Sequence, residues 1–310
     1  MDATATKRNA DRFADEDLLN ARGRPTIANI DNPRLLAILE FLSIHRYATF
    51  DDLIAHLGGD PTSLRRLIQV AKSRSNRLLH IPDQISQQHN VSKKVVYELG
   101  ARGVQILKER GHRILERPVS NFDHATLAAH ATASIQTGID AQPNASLITW
   151  DQIKQRKKTP ATDASSPFDI PYQSVDGPRH VRADSPIFGI KLDLGTHSLY
   201  RFFPGIEADN ATKSDRLIAE QLSAYLAIER DRIPETYYAF PPKSWYVPFL
   251  VRNAHQADRV KWMIEILNRL TNGAGSKTIL FMRYNPDGKP GYLFTEPWWR
   301  AGYEPVYLNK

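Results

Sequence analysis

Apolar residues recur at helical spacing in three short segments that follow a polar N-terminal stretch. Residues 1–30 show no such periodicity, which predicts a flexible arm. One apolar face runs over residues 33–44, a second over residues 49–57 and a third over residues 64–71. Because the turn between the second and third segments contains glycine and proline, we predict that one helix ends there and another begins.

Two strand-like segments come next, over residues 78–81 and 93–99, with a polar connection between them. A further helix is predicted over residues 104–110. Three helices followed by a strand hairpin are typical of a winged helix-turn-helix, whose third helix enters the major groove of DNA. The pattern therefore predicts a winged-helix domain over residues 31–117.

The rest of the chain, residues 121–310, predicts a second domain in which strands and helices alternate. A strand, a helix and a further strand in succession indicate a partly parallel sheet with helices on its faces. Residues 152–182 are polar and rich in proline, serine and threonine, so we expect an exposed loop there. The predicted fold class is α+β: a winged helix-turn-helix followed by an α/β domain with a mixed sheet.

Basic residues concentrate in one window of the sequence. The 310 residues carry a net charge of +7, but residues 61–120 alone hold 12 Lys and Arg against 4 Asp and Glu, a net of +8. A local excess of this size favours a polyanion, because each cation that neutralises a phosphate releases counterions. A solvated basic surface is the alternative. We predict double-stranded DNA as the partner, contacted by Arg65, Arg66, Lys72, Arg74 and Arg77 of the third helix and by Lys93 and Lys94 of the wing.

This interpretation requires no cofactor for DNA binding. Helix-turn-helix proteins commonly bind paired half-sites, which favours a homodimer. A winged helix can also dock other proteins, so a protein-interaction adaptor is an alternative function.

Several classes of protein are excluded or disfavoured by composition. The chain has no cysteine, which excludes disulfides and thiolate chemistry. Its apolar runs fall short of the roughly 18 residues of a membrane span, and its N-terminus lacks the apolar core of a secretory signal. We expect a cytoplasmic protein with no membrane partner. The sequence also lacks a phosphate-binding loop and the motifs of zinc and serine hydrolases, so no small-molecule ligand is evident.

The C-terminal region is rich in large aromatic residues, namely Trp245, Trp298, Trp299, Tyr303 and Tyr307. Such rings can stack on nucleic-acid bases. Packing in a core or a dimer is the more common use of large aromatic side chains.

Three carboxylates of the second domain are candidate catalytic and metal-binding residues. Glu207 and Asp209 are two residues apart at a strand end, so their side chains lie on one face. Asp184 precedes the neighbouring strand, and pairing of the two strands brings all three carboxylates together. Oxygen ligands of this kind suit Mg²⁺ or Mn²⁺. A cation near the reacting phosphate is also needed, and Lys191 or Lys213 can supply it.

The alternative role of these carboxylates is structural. Glu207 and Asp209 can cap the helix that follows, or they can form ion pairs with Arg201 and Arg216.

An acidic residue before one strand, Glu-x-Asp on another and a following helix resemble the PD-(D/E)xK nuclease fold. More narrowly, the chain resembles the replication-relaxation family of plasmid and mobile-element proteins, over about residues 33–284. The stretches that carry this resemblance are Val96–Leu99 with Gly103, His124, Trp150, Ala183–Asp184, Glu207–Thr212 and Gln221–Tyr225. The family implies an N-terminal winged helix, a nuclease-like second domain, and a role in replication or transfer of mobile DNA.

The sequence departs from the nuclease pattern where catalysis depends on it. Ala183 replaces a proline, Asp209 stands at the lysine position of Glu-x-Lys, and Gln221 replaces a lysine on the helix. We therefore expect a sequence-specific DNA-binding protein that regulates replication, transfer or transcription of a mobile element. Its nuclease-like domain is then degenerate and serves dimerisation or DNA contact. The enzymatic alternative is a Mg²⁺-dependent nicking endonuclease that uses Asp184, Glu207 and Asp209.

Overall fold

The computed structural model describes residues 26–86, 94–112, 114, 121–156, 159–163, 166–252 and 258–310. Within these residues the protein combines α-helices with antiparallel and mixed sheets, which confirms the α+β class. The chain divides into two compact units, Met1–Ala133 and Ser134–Lys310. The boundary falls inside a helix, whereas the sequence placed the start of the second domain at residue 121.

Unit 1 consists of short helices around a small antiparallel sheet. Its elements are α1 (Pro33–His45), β1 (Ala48–Thr49), α2 (Phe50–Leu57), α3 (Pro61–Lys72), β2 (Leu79–His80), β3 (Val96–Leu99), α4 (Ala101–Glu109) and the first part of α5 (Phe122–Asp140). The three strands lie in the order β1–β3–β2. The predicted pairing of β2 with β3 is present. Strand β1, which pairs with β3, was not predicted, because a strand of two residues is too short to give a periodic pattern.

The starts of the first three helices are set by side-chain caps. Asn32 caps α1, and Thr49 and Asp52 form a reciprocal capping box at α2, where Thr49 Oγ1 accepts from the Asp52 N–H at 3.1 Å. Asp60 caps α3 by accepting from the Ser63 N–H at 2.6 Å. The apolar faces of these helices meet in one core, which includes Leu35, Leu39, Leu42, Leu53, Leu64 and Ile68.

Unit 2 is built around a five-stranded mixed sheet. The order of its strands is β13–β12–β11–β10–β9, in which β9, β10 and β11 are parallel and β12 and β13 are antiparallel. These strands are β9 (Glu207–Asp209), β10 (Val247–Val251), β11 (Ile279–Arg283), β12 (Pro297–Arg300) and β13 (Tyr303–Tyr307). The crossover helix predicted between parallel strands is present.

Three further sets of elements complete unit 2. An antiparallel sheet has the order β4–β7–β8, formed by β4 (Ala145–Ile148), β7 (Phe188–Asp193) and β8 (Ser198–Phe203). A hairpin pairs β5 (Asp169–Ser174) with β6 (Gly177–Arg182). The helices are α6 (Trp150–Arg156), α7 (Asp215–Arg230), α8 (Ile233–Thr236), α9 (Arg259–Leu270) and α10 (Tyr292–Thr295). A single core joins α7 and α9 to the parallel strands.

The expectation of an exposed loop over residues 152–182 is wrong. This stretch holds most of α6, a short 3-10 helix at Pro160–Asp163 and the complete β5–β6 hairpin. Ile170 and Val181 are in register and buried, while the other face of the hairpin is polar. Because each strand of this hairpin has only one buried residue, its sequence has little apolar periodicity. The polar composition therefore predicted a loop.

Candidate nucleic-acid interface and carboxylate cluster

Helix α3 buries one face and presents arginines on the other. Leu64, Ile68 and Ala71 are buried, whereas Arg65 and Arg66 between them are exposed. Arg74 and Arg77, in the turn that follows α3, are exposed as well. We call Arg65, Arg66, Arg74 and Arg77 the basic ridge. The structure thus places four of the five predicted cations of this helix region in solvent.

Lys72 differs from the four arginines of the basic ridge. It is half-buried at the end of α3, and this burial lowers the pKa of its ammonium group. Its alkyl stem therefore takes part in packing, as expected for a long side chain at the margin of a core.

Among the residues that the structure describes, the basic ridge has no acidic partner. In the part of the chain that the structure describes, none of its four guanidinium groups pairs with a carboxylate. Arg65 lies over the ring of Phe50, 4.7 Å from its centroid, and Arg77 donates from Nε to the Arg74 carbonyl at 3.1 Å. Some exposed arginines elsewhere form ion pairs, as Arg110 does with Asp31 at 2.7 Å.

The two predicted wing lysines have different positions. Lys94 forms an ion pair with Asp51 at the start of α2, with 2.8 Å between nitrogen and oxygen. Part of its charge is therefore already compensated. Lys93 lies outside the described residues.

A buried asparagine fixes the turn that carries Arg74 and Arg77. Asn76 is 1% exposed, and its Nδ2 donates to the carbonyls of Thr26 and Val70, at 2.8 Å each. Its Oδ1 accepts from the Ala28 N–H at 2.9 Å. These bonds tie the turn to the end of α3 and to the segment before α1, so the ridge rests on a rigid support.

In unit 2, two of the three predicted carboxylates come together. Glu207 is 1% exposed in β9, and Asp184, in the segment before β7, is its electrostatic neighbour. Asp184 Oδ2 accepts from the Ala208 N–H at 3.0 Å, and the Asp184 N–H donates to the Ile206 carbonyl at 3.2 Å. The segment before β7 thus pairs along the start of β9.

Gly205 permits this close approach. It has a φ of +120°, and a Cβ atom at this position would lie 2.3 Å from the Ser185 carbonyl oxygen. A side chain would push Asp184 away from Glu207. Strand β8 ends at Phe203, and β9 begins beyond this glycine in the other sheet.

Helix α7 supplies the remaining partners of Glu207. The Tyr225 hydroxyl donates to Glu207 Oε1, and Gln221 Nε2 donates to Oε2 at 2.5 Å. Lys213 Nζ in turn donates to Gln221 Oε1 at 2.9 Å. We call Asp184, Glu207, Lys213, Gln221 and Tyr225 the carboxylate cluster.

Burial raises the pKa of Glu207 well above its ordinary value, and the charge of Asp184 raises it further. Burial also raises the pKa of the Tyr225 hydroxyl, so this group stays a hydrogen-bond donor. The Tyr225 hydroxyl thus places a hydrogen-bond donor against the buried Glu207 carboxyl group.

Gln221 and Tyr225 were not predicted as site residues, although both lie in a stretch used for the family resemblance. They are four residues apart on α7, a spacing that puts both side chains on one face of a helix. A polar pair at this spacing on an otherwise buried face is the sequence signal that could have identified them.

The third predicted carboxylate has a different partner. Asp209 is fully buried and accepts from Arg259 of α9, with Nε at 2.7 Å from Oδ2. Arg259 also donates to the Lys213 carbonyl at 2.7 Å and lies over the Trp262 ring, 4.0 Å from its centroid. Among the described residues, no three His, Asp or Glu side chains form a group that could hold a metal ion.

Three cations that the sequence placed near the carboxylates have other partners. Lys191 pairs with Asp193 at 2.9 Å on β7, and the amine that reaches the carboxylate cluster is Lys213. Arg201 donates to the Lys310 carbonyl, and Arg216 pairs with Glu220 at 3.7 Å, so neither is the partner of Glu207 or Asp209.

No family model, curated protein or solved structure matches this chain. Among the described residues, no helix has the length and apolar character needed to cross a membrane.

Proposed function

We propose that this protein binds double-stranded DNA through the basic ridge of unit 1. The order α1, β1, α2, α3, β2, β3 with a β1–β3–β2 sheet supports a winged helix-turn-helix, in which α3 is the helix that enters the major groove. Together with the resemblance to the replication-relaxation family, this arrangement supports a role in regulating replication, transfer or transcription of a mobile element.

The observation that carries the proposal is the absence of acidic partners around exposed arginines. Within the described residues, Arg65 and Arg66 are exposed on one helix face and pair with no carboxylate. A guanidinium group can bind phosphate, or the O6 and N7 atoms of guanine, in a bidentate manner. Uncompensated arginines on a helix flanked by a turn and a hairpin fit a nucleic-acid partner better than a solvated surface.

The test is a mobility-shift titration of the full chain on duplex DNA of randomised sequence, followed by selection of bound sequences. The Arg65→Ala/Arg66→Ala variant should lose about 1–3 kcal/mol of binding free energy per arginine. A matched control is Arg216→Ala/Arg269→Ala, which removes the same charge from exposed ion pairs of unit 2. Equal losses in both double variants would mean that net charge alone governs binding.

The salt dependence of the same titration separates DNA binding from the adaptor alternative. Each phosphate neutralised by a cation contributes about −0.9 to the slope of log K against log salt for duplex DNA. A slope near zero would favour a protein partner. Sedimentation of the free protein, with and without duplex, tests the predicted homodimer.

A second candidate function is supported by the meeting of Asp184 and Glu207 beside Lys213. Mg²⁺ is often held by one or two carboxylates together with waters and substrate phosphates, so these two residues fit such an ion. Bound there, the ion would supply charge stabilisation at a phosphate. The Arg259 partner of Asp209 and the lack of a three-carboxylate group make this candidate weaker.

Nicking of supercoiled plasmid in the presence of Mg²⁺ tests this candidate. Loss of nicking in both Asp184→Asn and Glu207→Gln, with duplex binding retained, would establish an endonuclease. Binding without nicking by the wild-type protein supports a DNA-binding protein whose second unit is not catalytic.

A further inference from the structure

The exposed aromatic side chains of the described residues are confined to one hairpin of unit 2. Trp299, Tyr303 and Tyr307 are 52%, 38% and 37% exposed. Every other Trp, Tyr or Phe among the described residues is buried or half-buried. Trp245 and Trp298, from the same aromatic region, are buried. Large aromatic side chains are usually placed in a core, so a cluster of exposed ones marks a contact surface.

Strand pairing fixes where the exposed rings lie along the hairpin. Pro297 of β12 faces Tyr307 of β13, and Arg300 faces Tyr303, with a register irregularity between Trp298 and Arg300. Trp299 lies within this irregular stretch and is exposed, whereas its neighbour Trp298 is buried. The three exposed rings therefore belong to one short pair of strands.

Cations accompany the rings. The Lys310 ammonium lies 4.2 Å from the Tyr307 centroid, and Lys277 and Arg300 lie 5.4 and 5.6 Å from that of Tyr303. Within the described part of the chain, none of these three cations pairs with a carboxylate. Aromatic faces beside uncompensated cations are complementary to bases joined by phosphates.

Hydrogen bonds fix the β12–β13 hairpin to neighbouring segments of unit 2. The Trp298 indole N–H donates to the Leu293 carbonyl at 2.8 Å, and the Ser276 N–H donates to the Ala301 carbonyl at 3.1 Å. Arg300 donates to the carbonyls of Glu304 at 2.6 Å and Lys277 at 3.2 Å. A rigid support lowers the entropy cost of binding, since little has to be ordered.

We propose that the β12–β13 hairpin binds single-stranded nucleic acid, by stacking bases on Trp299 and Tyr307 and by placing phosphates near Lys277, Arg300 and Lys310. Stacking tolerates any base, so this surface has little sequence preference. The proposal is independent of duplex binding by the basic ridge. It gives unit 2 a nucleic-acid function that requires neither metal nor catalysis.

The test is fluorescence anisotropy of the full chain with labelled oligothymidylate and oligouridylate, the two sources of a single strand. Trp299→Ala and Tyr307→Ala should each weaken binding about 5- to 150-fold, the range for loss of one stacked base. Trp299→Phe keeps a ring and should restore most of the affinity. Circular dichroism checks that each variant is folded.

Two outcomes would overturn the proposal. One is wild-type affinity for both probes in Trp299→Ala and Tyr307→Ala. The other is a dimer that both variants dissociate while affinity for a single strand stays unchanged, because the hairpin would then be a protein interface.

The Arg65→Ala/Arg66→Ala variant separates this proposal from the proposed function. It should lose duplex binding and keep single-strand binding, whereas Trp299→Ala should show the reverse. Loss of single-strand binding in the ridge variant, with none in Trp299→Ala, would assign both activities to unit 1.

Discussion

The basic ridge and the carboxylate cluster differ in whether their charged groups are exposed to solvent or buried with partners. The ridge arginines are exposed and, among the described residues, have no acidic partner. Glu207 of the cluster and Asp209, two residues further along β9, are buried. Helix α7 supplies the donors to Glu207, and α9 supplies the donor to Asp209. A buried carboxylate depends on its donors, because loss of one partner leaves an uncompensated buried group, whereas charges left in solvent are free to bind a partner.

This comparison also separates the cost of changing each site. Removing an exposed arginine leaves no buried group without a partner, so the effect falls on binding. Removing a partner of a buried carboxylate leaves a desolvated charge, so the effect falls on stability.

The largest effect is expected at Arg259. Replacement by Ala leaves Asp209, which is fully buried, without its cation, and should lower the free energy of unfolding by about 3–5 kcal/mol. The control is Arg269→Ala on the same helix, where both partners of the Asp215 pair are exposed and the expected loss is about 0–1 kcal/mol. Urea unfolding followed by tryptophan fluorescence measures both. Equal losses would show that burial of Asp209 plays no part.

An intermediate effect is expected at Asn76. The Asn76→Ala change deprives the Ala28 N–H and the Thr26 carbonyl of their side-chain partner, and should lower stability by about 1–3 kcal/mol. Gln69→Ala, on the exposed face of α3, is the matched control and should change stability by less than about 0.5 kcal/mol. Thermal unfolding of the full chain, monitored by hydrogen exchange of the unit 1 amides, measures the stability of both variants. A silent Asn76→Ala variant would mean that the ridge does not depend on this support.

A pH dependence is expected at Glu207. Burial raises its pKa in the folded protein, so the folded state binds the proton more tightly than the unfolded chain does. The contribution of Glu207 to stability is therefore full below its unfolded pKa and is lost as the pH rises through the folded value. The Glu207→Gln variant, which carries no titrating group, should become progressively more stable relative to wild type as the pH increases.

Urea midpoints of both proteins, compared between about pH 5 and 8, measure this difference. Its slope with pH is the test, because the change of hydrogen bonds to Gln221 and Tyr225 shifts stability equally at every pH. The exposed Glu220→Gln change on α7 is the control for the substitution itself. A constant difference for Glu207→Gln would show that the carboxyl is ionised in the fold.

The helices of unit 1 could be predicted because their signals are local. The apolar faces around Leu39, Leu53 and Leu64 and the caps at their starts lie within a few residues of one another. Exposure of Arg65 and Arg66 follows from the same periodicity. The pairing of Lys94 with Asp51 could not be predicted, because it joins two elements 43 residues apart.

The site of unit 2 shows what sequence spacing leaves open. The two-residue spacing of Glu207 and Asp209 predicts one face, yet it does not fix which helix lies above each side chain. Glu207 lies against Tyr225 of α7, while Asp209 lies against Arg259 of α9. The choice depends on how the two helices pack on the sheet, which no short motif encodes.

The smallest effect is expected at Lys94. Its substitution tests whether a cation that already has a carboxylate partner contributes less to DNA binding. Lys94 and Asp51 are both about half exposed, so Lys94→Ala should change stability by less than about 1 kcal/mol.

In duplex binding, Arg66→Ala should reduce the magnitude of the salt slope by about 0.9, since one phosphate contact is lost. Lys94→Ala should reduce it by less, because its ammonium group is already held by a carboxylate. Both slopes come from one titration series over several salt concentrations. A larger reduction for Lys94 than for Arg66 would place the main phosphate contact on the wing, and the contrast between free and compensated cations would no longer explain where this protein binds DNA.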